Sequence, residues 1–266
     1  MPRQITAFSN PLVKQARSLR DKKQRRLEGL FLAEGLRILT EAREAGFLPV
    51  TLFFGPAPRH ALLDQLIAET ESSGGEAIET TADILHKISG KDNPQMVLGL
   101  YRSFDTALTQ IDNTTSNLWI VAHALRDPGN LGTILRTGDA VGAGGLILVD
   151  ECVDPFSVEA VRASMGALFT QRIATSSWED FLLWLRQGPG ELVGTSLAGS
   201  TDYQAHIYTK PCFLLVGNEA QGLPPAYEAE CDALVKIPMY GKADSLNAAV
   251  ATAVVAYEAI NQWRKN

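Results

Sequence analysis

The chain has 266 residues, of which 45% are hydrophobic, so it can fill the core of one large domain or two ordinary ones. No stretch approaches the roughly 18 consecutive apolar residues of a membrane span, and the first ten residues lack the apolar core of a secretory signal. We therefore expect a cytoplasmic protein with no membrane partner. Cys152, Cys212 and Cys231 stand far apart without a CxxC spacing, which argues against a disulfide framework and against a zinc ribbon.

The charge is distributed unevenly along the chain. The formal net charge is −6, yet the first 30 residues carry eight Lys and Arg against only Asp21 and Glu28. Such asymmetry is typical of a segment that contacts nucleic acid. The residues predicted to contact RNA are Lys14, Arg17, Lys22, Lys23, Arg25 and Arg26. The alternative is a solvated amphipathic helix whose buried stripe comprises Leu12, Val13, Ala16, Leu19 and Leu27.

The first hundred residues alternate between strand-like and helix-like patterns. "LFLA", "VTLFF" and "MVLGLY" read as strands, and residues 35–45, 59–70 and 82–88 read as helices. These elements predict a small α/β domain over residues 1–103. The polar stretch that follows has no sustained apolar period, which predicts a linker over residues 104–117.

The second half, residues 118–266, predicts another α/β domain. Its expected strands are "LWIVA", "GLILVD", "LVGTSL", "FLLVG" and "ALVKIP", and they alternate with helical segments. This order is typical of a mostly parallel sheet that helices cover on both faces. Ligands bind to such sheets at the carboxyl ends of the strands, so the residues after each strand are the candidates for a site.

The first unusual strand end is "HALRDPGNLGTILRTGDAVGA". Asp127 to Gly129 predict a turn, Asn130 a helix cap, and residues 131–143 a helix. At 100° per residue, one side carries Leu131, Ile134, Leu135, Gly138 and Val141, and the opposite side carries Gly132, Thr133 and Arg136. Arg136 is therefore expected to point away from the sheet. By itself, the pattern favours a surface arginine on an amphipathic helix.

Two further strand ends are irregular. "FLLVGNEAQGLPP" stops at Gly217 and leaves backbone groups near the sheet edge, although an ordinary strand-to-helix turn would look similar. "ALVKIPMYGKADSLNAAVATAVVAYEA" ends a strand at Pro238, and Asp244 or Ser245 is the expected cap of the last helix. No GxGxxG motif opens any of these helices, so the fingerprint of a dinucleotide site is missing.

Together, "DPGNLGTILRTGDAVGA", "LLVGNEAQGL" and "VKIPMYGKADSLNAAVATAVVAYEA" resemble the three ordered motifs of the SpoU (TrmH) family of RNA ribose 2′-O-methyltransferases, within the SPOUT superfamily. "VRASMGALF" also resembles this family. "SNPLVKQARSLRDKKQRRLEGLFLAEGLRIL" resembles its N-terminal substrate-binding domain, which is related to ribosomal kink-turn-binding proteins. The resemblance implies a catalytic α/β domain with a deep trefoil knot, a rare exception to the rule against threaded chains.

The resemblance also implies a cofactor, S-adenosylmethionine, and residues that bind it. Those residues are Gly217, Glu219, Ile237, Met239, Ser245 and Leu246. The final helix is implied to pack against a second subunit of a homodimer, because small residues such as Ala248, Ala249, Ala251 and Ala253 permit a close approach. A core helix within one monomer is the alternative.

The catalytic residues that the resemblance implies are Arg136, Asn130, Ser245 and Asn247. A guanidinium hardly ever loses its proton in proteins, so we expect Arg136 to stabilise the developing alkoxide while a substrate phosphate or water takes the proton. His123 stands where an aspartate is expected and is the alternative proton acceptor. No metal is expected, because this methyl transfer requires no Lewis acid.

The function that follows is methyl transfer from S-adenosylmethionine to a ribose 2′-hydroxyl of structured RNA, with large-subunit (23S) ribosomal RNA preferred to transfer RNA as the substrate. The residues present argue against two alternative functions. A non-catalytic RNA-binding assembly factor of the same fold would be expected to have other residues at Arg136, Asn130 or positions 245–247. The sequence keeps the family's residues at all of them. A methyltransferase acting on a base would lack the Asn130 and Arg136 pair.

Overall fold

The structure is a computed structural model that describes residues 3–56, 60–91, 94–199 and 201–265. The chain divides into two compact units. Unit 1 comprises Met1–Phe104 and Asp154–Thr170, and unit 2 comprises Asp105–Val153 and Gln171–Asn266. Within the described ranges, no helix is both long enough and apolar enough to cross a membrane.

The helices and strands alternate along most of the chain. Up to residue 104 they are β1 (Arg3–Ile5), α1 (Pro11–Ser18), α2 (Lys22–Glu28), β2 (Leu30–Glu34), α3 (Leu36–Glu44), β3 (Thr51–Phe54), α4 (Ala61–Ser72), β4 (Glu76–Thr80), α5 (Ala82–Ser89) and β5 (Val97–Arg102). Beyond residue 104 they are a 3₁₀ turn (Leu108–Gln110), β6 (Leu118–His123), α6 (Pro128–Val141), β7 (Gly145–Val149), α7 (Val158–Ser164), α8 (Ala167–Thr170), β8 (Arg172–Ser176), α9 (Trp178–Leu185), β9 (Glu191–Thr195), β10 (Thr201–Asp202), β11 (Cys212–Val216), α10 (Pro225–Glu228), β12 (Ala233–Lys236) and α11 (Ala248–Lys265).

Unit 1 contains a five-stranded mixed sheet in the order β1-β4-β3-β5-β2. The three expected strands and three expected helices of residues 1–103 are confirmed, except that Arg59, the expected first residue of α4, lies outside the described residues. β1 and β4 were not predicted. β1 is only three residues long, and β4 reads "EAIET", whose two Glu and one Thr leave little apolar signal for a strand.

The basic N-terminal segment forms two short helices instead of one long helix. Asp21 separates them, because its side chain accepts hydrogen bonds from the backbone N–H groups of Lys23 (2.8 Å) and Gln24 (3.1 Å) and so caps α2. The expected stripe is confirmed on α1, where Val13 and Ala16 are buried. It is wrong for Leu27, whose 74% exposure shows that the pattern of α1 does not continue into α2.

Five of the six cations predicted to contact RNA are exposed: Lys14, Arg17, Lys22, Lys23 and Arg26. No acidic group lies within ion-pair distance of these five in the part of the chain that the structure describes. We call these five residues the basic surface.

Arg25 is different, and the prediction that it contacts RNA is wrong for this structure. Its side chain is 5% exposed and pairs with Asp154 at 2.7 Å, with Nε also donating to the same carboxylate oxygen at 3.0 Å. Nη1 donates to the carbonyl oxygens of Leu19 and Arg20. Because the guanidinium is buried and already hydrogen-bonded, Arg25 holds α2 and the loop before α7 together within unit 1.

Unit 2 contains a seven-stranded sheet in the order β10-β12-β9-β11-β6-β7-β8. Every described ladder in this sheet is parallel, which confirms the predicted arrangement. Alternate residues of a strand face opposite sides of the sheet, and the central strands carry buried apolar residues on both sides. Trp119, Val121, Phe213 and Leu215 belong to the core cluster on the side of α9.

The two compact units do not follow the order of the chain, because each contains two separate segments. The linker over residues 104–117 stays a prediction. Residues 105–117 pack on unit 2, where Ile111 is 6% exposed and Ala107 forms a bridge with Thr175. Residues 154–170, which include "VRASMGALF", pack with unit 1. Phe156 and Phe169 there contact the ring of Phe31 at centroid distances of 5.0 and 5.9 Å.

The Arg25 and Asp154 pair predicts unequal roles for two adjacent arginines. Arg25→Ala leaves the largely buried Asp154 carboxylate, which is 13% exposed, without its ion-pair partner, so we expect the free energy of unfolding to fall by about 3 kcal/mol. Arg26→Ala, one residue away and exposed, should change it by about 0.5 kcal/mol or less. Urea unfolding measures both. Equal small effects would show that the Arg25 pair does not hold unit 1 together.

Candidate functional site

The loop that follows β11 is closed on itself and accepts no side chain at its first residue. The backbone N–H of Asn218 donates to the carbonyl of Gly222 at 3.1 Å, and Gly222 returns a hydrogen bond at 2.9 Å. A Cβ added to Gly217 would lie 2.3 Å from the carbonyl carbon of Gly222. Gly222 has a positive φ of 68°, the region that favours glycine. Close contact at Gly217 and backbone conformation at Gly222 therefore both favour glycine at this strand end.

Asn218 fastens this loop to the end of β6. Its Nδ2 donates to the carbonyl of Ala124 at 2.8 Å, and its Oδ1 accepts from the backbone N–H groups of Ala220 and Gln221. Ala124 has a positive φ of 49°, so the chain turns sharply as it leaves β6. Sequence reasoning missed Asn218 as a structural residue of the site, although asparagine beside glycine is a turn signal.

Glu219 joins the same two strand ends through its carboxylate. Oε1 accepts hydrogen bonds from the backbone N–H of Asp127 and from Asn130 Nδ2, both at 3.1 Å, and Oε2 accepts from the N–H of Arg126 at 3.2 Å. Desolvation is the largest single influence on the pKa of Glu219 and raises it. The hydrogen bonds from Asn130 and the backbone together outweigh desolvation, so the pKa lies below its ordinary value.

Asn130 lies in the first turn of α6 and does not cap it. The cap is Asp127, whose Oδ1 accepts from the N–H of Asn130 at 2.7 Å, so the expectation that Asn130 is the cap is wrong. Pro128 fits the first helical position because the missing N–H would have no partner there. This arrangement buries Asn130 to 9% exposure and leaves its amide free to bond other loops.

The third strand end meets the other two at Asn130. Asn247 Nδ2 donates to Asn130 Oδ1 at 2.8 Å. Asn247 Oδ1 accepts from the N–H groups of Ala249 (2.9 Å) and Val250 (3.3 Å), so Asn247 caps α11 and the expected caps Asp244 and Ser245 are wrong. Glu219, Asn130 and Asn247 thus form one chain of hydrogen bonds, which we call the amide relay.

A cleft of about 380 Å³ lies at the carboxyl ends of β9, β11 and β12. All six residues predicted to bind a cofactor line it: Gly217, Glu219, Ile237, Met239, Ser245 and Leu246. Its volume is within the range of small-molecule sites. The open backbone at Gly217 and the apolar side chains of Val216, Val235 and Ile237 fit a flat nucleoside ring. The residues present therefore suit S-adenosylmethionine.

Arg136 does not line this cleft. It is exposed on α6, as the helical spacing predicted, and it makes no hydrogen bond or ion pair with any residue that the structure describes. It follows Asn130 by six residues, about 9 Å along the helix axis. Thr133 is exposed as expected. Gly132 is buried, which corrects its predicted position, because α6 packs against α11 as well as against the sheet.

His123 lies outside the cleft and is enclosed by other groups. Its Nε2 is 3.4 Å from Asp150, its Nδ1 is buried without a partner among the described residues, and its ring meets Tyr227 edge-on at 4.9 Å. Desolvation lowers the pKa of His123, Arg126 lowers it further, and Asp150 opposes both. This position fits a packing role better than that of a proton acceptor for substrate.

The small residues of α11 do not all face the same way. Ala249 is buried in the core, and Ala248 and Ala251 line the cleft. The exposed apolar residues of this helix are instead Val250 (48%) and Tyr257 (54%), two turns apart. The low polarity of the helix therefore has three separate causes: the core, the cleft and an exposed apolar strip.

Fold and site together define an α/β protein with a nucleoside-sized cleft at the carboxyl ends of a parallel sheet, held by three polar loops. Comparison with known proteins then gives the family. Residues 117–257 match the sequence model of the SpoU rRNA Methylase family, and residues 10–99 match the MRM3-like substrate binding domain. The chain belongs to the SpoU rRNA methylase family.

Relatives match the chain over nearly its full length. The AdoMet-bound rRNA methyltransferase from Sinorhizobium meliloti has 41% identity and a TM-score of 0.90, with 97% of each chain covered. The 23S rRNA (uridine(2479)-2′-O)-methyltransferase of Streptomyces viridochromogenes is 32% identical over 98% of this chain and 92% of its own length. The 23S rRNA (guanosine(2553)-2′-O)-methyltransferase RlmP of Bacillus subtilis is 27% identical over 96% and 98%.

The lowered pKa of Glu219 predicts a pH-dependent contribution to stability. The ionised carboxylate accepts the loop hydrogen bonds, so its stabilisation is complete above the ordinary carboxyl pKa, about 4.3, and is lost as the pH falls through the lower folded value. The difference in unfolding free energy between the protein and Glu219→Gln should be constant from pH 7 to about pH 5 and shrink below about pH 4. A difference that stays constant down to about pH 3 would contradict this account.

Proposed function

We propose that this protein transfers a methyl group from S-adenosylmethionine to a ribose 2′-hydroxyl of large-subunit (23S) ribosomal RNA, in the cytoplasm. The observation that carries the proposal is a nucleoside-sized cleft lined by the loops after β9, β11 and β12. The amide relay joins the β11 loop and the cap of α11 to the loop after β6. Two relatives that match nearly the whole chain are named as 23S rRNA 2′-O-methyltransferases. An AdoMet-bound rRNA methyltransferase has a closely similar structure. The two named targets are a uridine and a guanosine, so the nucleotide is left open.

Each predicted site residue has a role consistent with this chemistry. S-adenosylmethionine supplies a methyl group on a positively charged sulfur. Gly217, Ile237, Met239 and Leu246 form the walls that would hold its nucleoside, with backbone groups at Gly217 within reach of ring nitrogens. Ser245 closes the cleft on the side of the last loop. Gly217 and Ile237 directly follow β11 and β12, and rigid strands place such residues accurately, whereas Met239 and Leu246 lie in the loop between β12 and α11.

Asn130 and Asn247 act as positioning residues. Their amides fix the loops of α6 and α11 at one distance from Glu219, which sets the shape of the cleft before any ligand binds. Preorganised sites avoid the free-energy cost of reorganisation during reaction.

Arg136 is available to the RNA rather than to the protein. A 2′-hydroxyl that attacks a methyl group develops negative charge, and an arginine beside it stabilises that charge without accepting the proton. A substrate phosphate or water takes the proton. Arg136 is exposed and has no partner among the described residues, which fits this role. An arginine already paired in the free protein would first have to exchange partners.

Large-subunit RNA is favoured over transfer RNA and over a purely structural role. The curated 23S rRNA enzymes named above match both halves of the chain, including the region that matches a substrate binding domain. A non-catalytic assembly factor would not need to keep an unpaired Arg136, an intact relay and an open cleft together. We also infer that unit 2 has the deep trefoil knot of its family.

The basic surface of unit 1 is proposed as the contact for RNA phosphates. Lys14 and Arg17 lie on α1, and Lys22, Lys23 and Arg26 belong to the adjoining α2. Five exposed cations without acidic partners among the described residues give a local field that the overall charge of −6 conceals.

A homodimer is proposed through unit 2. Val250 and Tyr257 expose an apolar strip on α11, and the family resemblance implies that this helix contacts a second subunit. Light scattering should give about twice the 28.8 kDa of one chain. Val250→Asp with Tyr257→Asp should give the monomer mass, whereas Leu183→Asp, at an even more exposed apolar position on α9, should leave the dimer intact. A monomeric wild type at micromolar concentration would remove the proposal.

The proposed reaction is tested by incubating the protein and S-adenosylmethionine with a protein-free 23S rRNA transcript, and with total transfer RNA in parallel. We expect methylation at one ribose of the 23S transcript, detected as a gap in alkaline hydrolysis. Methylation of transfer RNA alone would establish the alternative substrate. Absence of S-adenosylmethionine binding at millimolar concentration would contradict the enzyme itself.

Arg136→Ala should slow single-turnover methylation about 10²- to 10³-fold with RNA and cofactor saturating, because one stabiliser of a developing oxyanion is lost. Binding of S-adenosylmethionine should be nearly unchanged. Arg172→Ala removes another exposed arginine of unit 2 and serves as the matched control. If His123→Ala abolished methylation while Arg136→Ala methylated at nearly the wild-type rate, His123 would be the catalytic group instead.

Changing Lys22, Lys23 and Arg26 together to Glu should weaken RNA binding. The slope of log affinity against log salt should fall by about 0.7 to 0.9 for each phosphate that the variant no longer neutralises. Lys87→Glu gives the non-specific effect of one charge reversal elsewhere on unit 1. Cofactor affinity should not change. An unchanged slope in the triple variant would show that the basic surface is only a solvated face.

A further inference from the structure

A second carboxylate, Glu228, faces the cofactor cleft and is not fully hydrogen-bonded by the protein. It is the last residue of α10, and it lines the cleft next to the loop after β9. One carboxylate oxygen accepts a hydrogen bond from the hydroxyl of Ser196, which also lines the cleft. The other oxygen has no hydrogen-bond partner among the described residues. The cleft therefore contains an acceptor that a ligand could satisfy.

Packing on the side of α10 away from the cleft fixes the position of this carboxylate. Tyr227, the preceding residue, stacks on Trp178 with ring centroids 3.9 Å apart and planes 6° from parallel. The Tyr227 hydroxyl donates to Asp150 at 2.8 Å. A four-residue helix has little stability of its own, so this aromatic contact is what holds α10, and with it Glu228, at the cleft wall.

Hydrogen bonds to the neighbouring backbone also fix the position of Ser196. Its backbone N–H donates to the carbonyl of Val235 at 3.0 Å, and its hydroxyl oxygen accepts from the N–H of Ala198 at 3.1 Å. The hydroxyl proton is then directed to Glu228. Because both partners are anchored independently, the carboxylate keeps one orientation and its second oxygen remains available to a ligand.

The other charged groups at the cleft cannot take this role. Both oxygens of Glu219 are occupied by loop hydrogen bonds, and Lys236 can only donate. Glu228 is thus the carboxylate of the cleft with a free acceptor. In α/β nucleotide sites, a carboxylate near the carboxyl end of a strand commonly binds ribose hydroxyls, which are neutral donors in a vicinal pair.

We infer that Glu228 binds the ribose hydroxyls of the nucleoside cofactor and makes the cleft select ribonucleosides over deoxyribonucleosides. This inference rests on the proposed cofactor, but it concerns a residue that neither the sequence motifs nor the amide relay includes. Glu228 is a specificity-determining residue that acts in binding rather than in the methyl transfer itself.

The test uses S-adenosylhomocysteine and its 2′-deoxy and 3′-deoxy analogues, with dissociation constants measured by calorimetry on the full chain. Loss of a hydrogen bond to a charged group costs roughly tenfold or more in affinity, so at least one deoxy analogue should bind wild type that much more weakly. In Glu228→Ala, the deoxy penalty should fall to about twofold or less, and Glu228→Gln, which keeps the shape and a weaker acceptor, should be intermediate.

Two control variants separate ligand recognition from a structural role. Ser196→Ala removes one anchor of Glu228 but not the acceptor itself, so it should reduce the deoxy penalty less than Glu228→Ala does. Glu230→Ala changes an exposed carboxylate outside the cleft and should match wild type. A penalty that persists in Glu228→Ala overturns the inference while leaving the cofactor in place. A penalty lost equally in Ser196→Ala overturns it in favour of loop support by the Ser196 and Glu228 pair. Failure of wild type to bind S-adenosylhomocysteine at all overturns the proposed cofactor as well.

An altered preference between S-adenosylmethionine and S-adenosylhomocysteine gives a further distinction. If Glu228→Ala changed that preference but kept the deoxy penalty, the carboxylate would act on the sulfonium charge, which contradicts ribose recognition.

Discussion

The hydrogen bonds of the Asn130 side chain are the interaction on which the rest of the site depends. One amide donates to the Glu219 carboxylate and accepts from Asn247, so it joins the loops after β11 and β6 to the cap of α11. Its two partners lie 89 and 117 residues away along the chain. A carboxylate in place of Asn130 could not donate to Glu219, and an apolar residue would leave Glu219 and Asn247 short of a partner. Only an amide of this length satisfies both neighbours at once.

Helix α6 carries both Asn130, which belongs to the relay, and Arg136. The first turn of α6 is fixed by Asp127, Asn130 and Glu219, while the outward face two turns later carries Arg136 without a partner in the described part of the chain. The cofactor side of the site is therefore held by hydrogen bonds, and the RNA side is left open. This division suits a reaction in which a small cofactor binds a preformed cleft and a large structured RNA brings its own phosphates and hydroxyl.

Sequence reasoning located the cleft because its signals are local. Parallel strands end in glycine, asparagine and proline at Gly217, Asn218 and Pro238, and the carboxyl ends of such strands share one edge of the sheet. The outward position of Arg136 followed from helical spacing alone. Long-range partners left no such signal. Arg25 reads as one more cation in a basic segment, and only the fold reveals Asp154, 129 residues away, beside it. Gly132 was misplaced because a single-helix projection does not include α11, and Glu228 became visible only when α10 brought it to Ser196.

The most direct test of this account is the affinity of Asn130→Ala for S-adenosylmethionine, measured by calorimetry beside Thr133→Ala, an exposed change on the same helix. Breaking the relay frees two loops that shape the cleft and removes a hydrogen bond to a charged group, so the account predicts binding weaker by roughly tenfold or more in Asn130→Ala and unchanged in Thr133→Ala. Wild-type affinity in a folded Asn130→Ala would show that the cleft is formed without the relay, and would contradict the central claim.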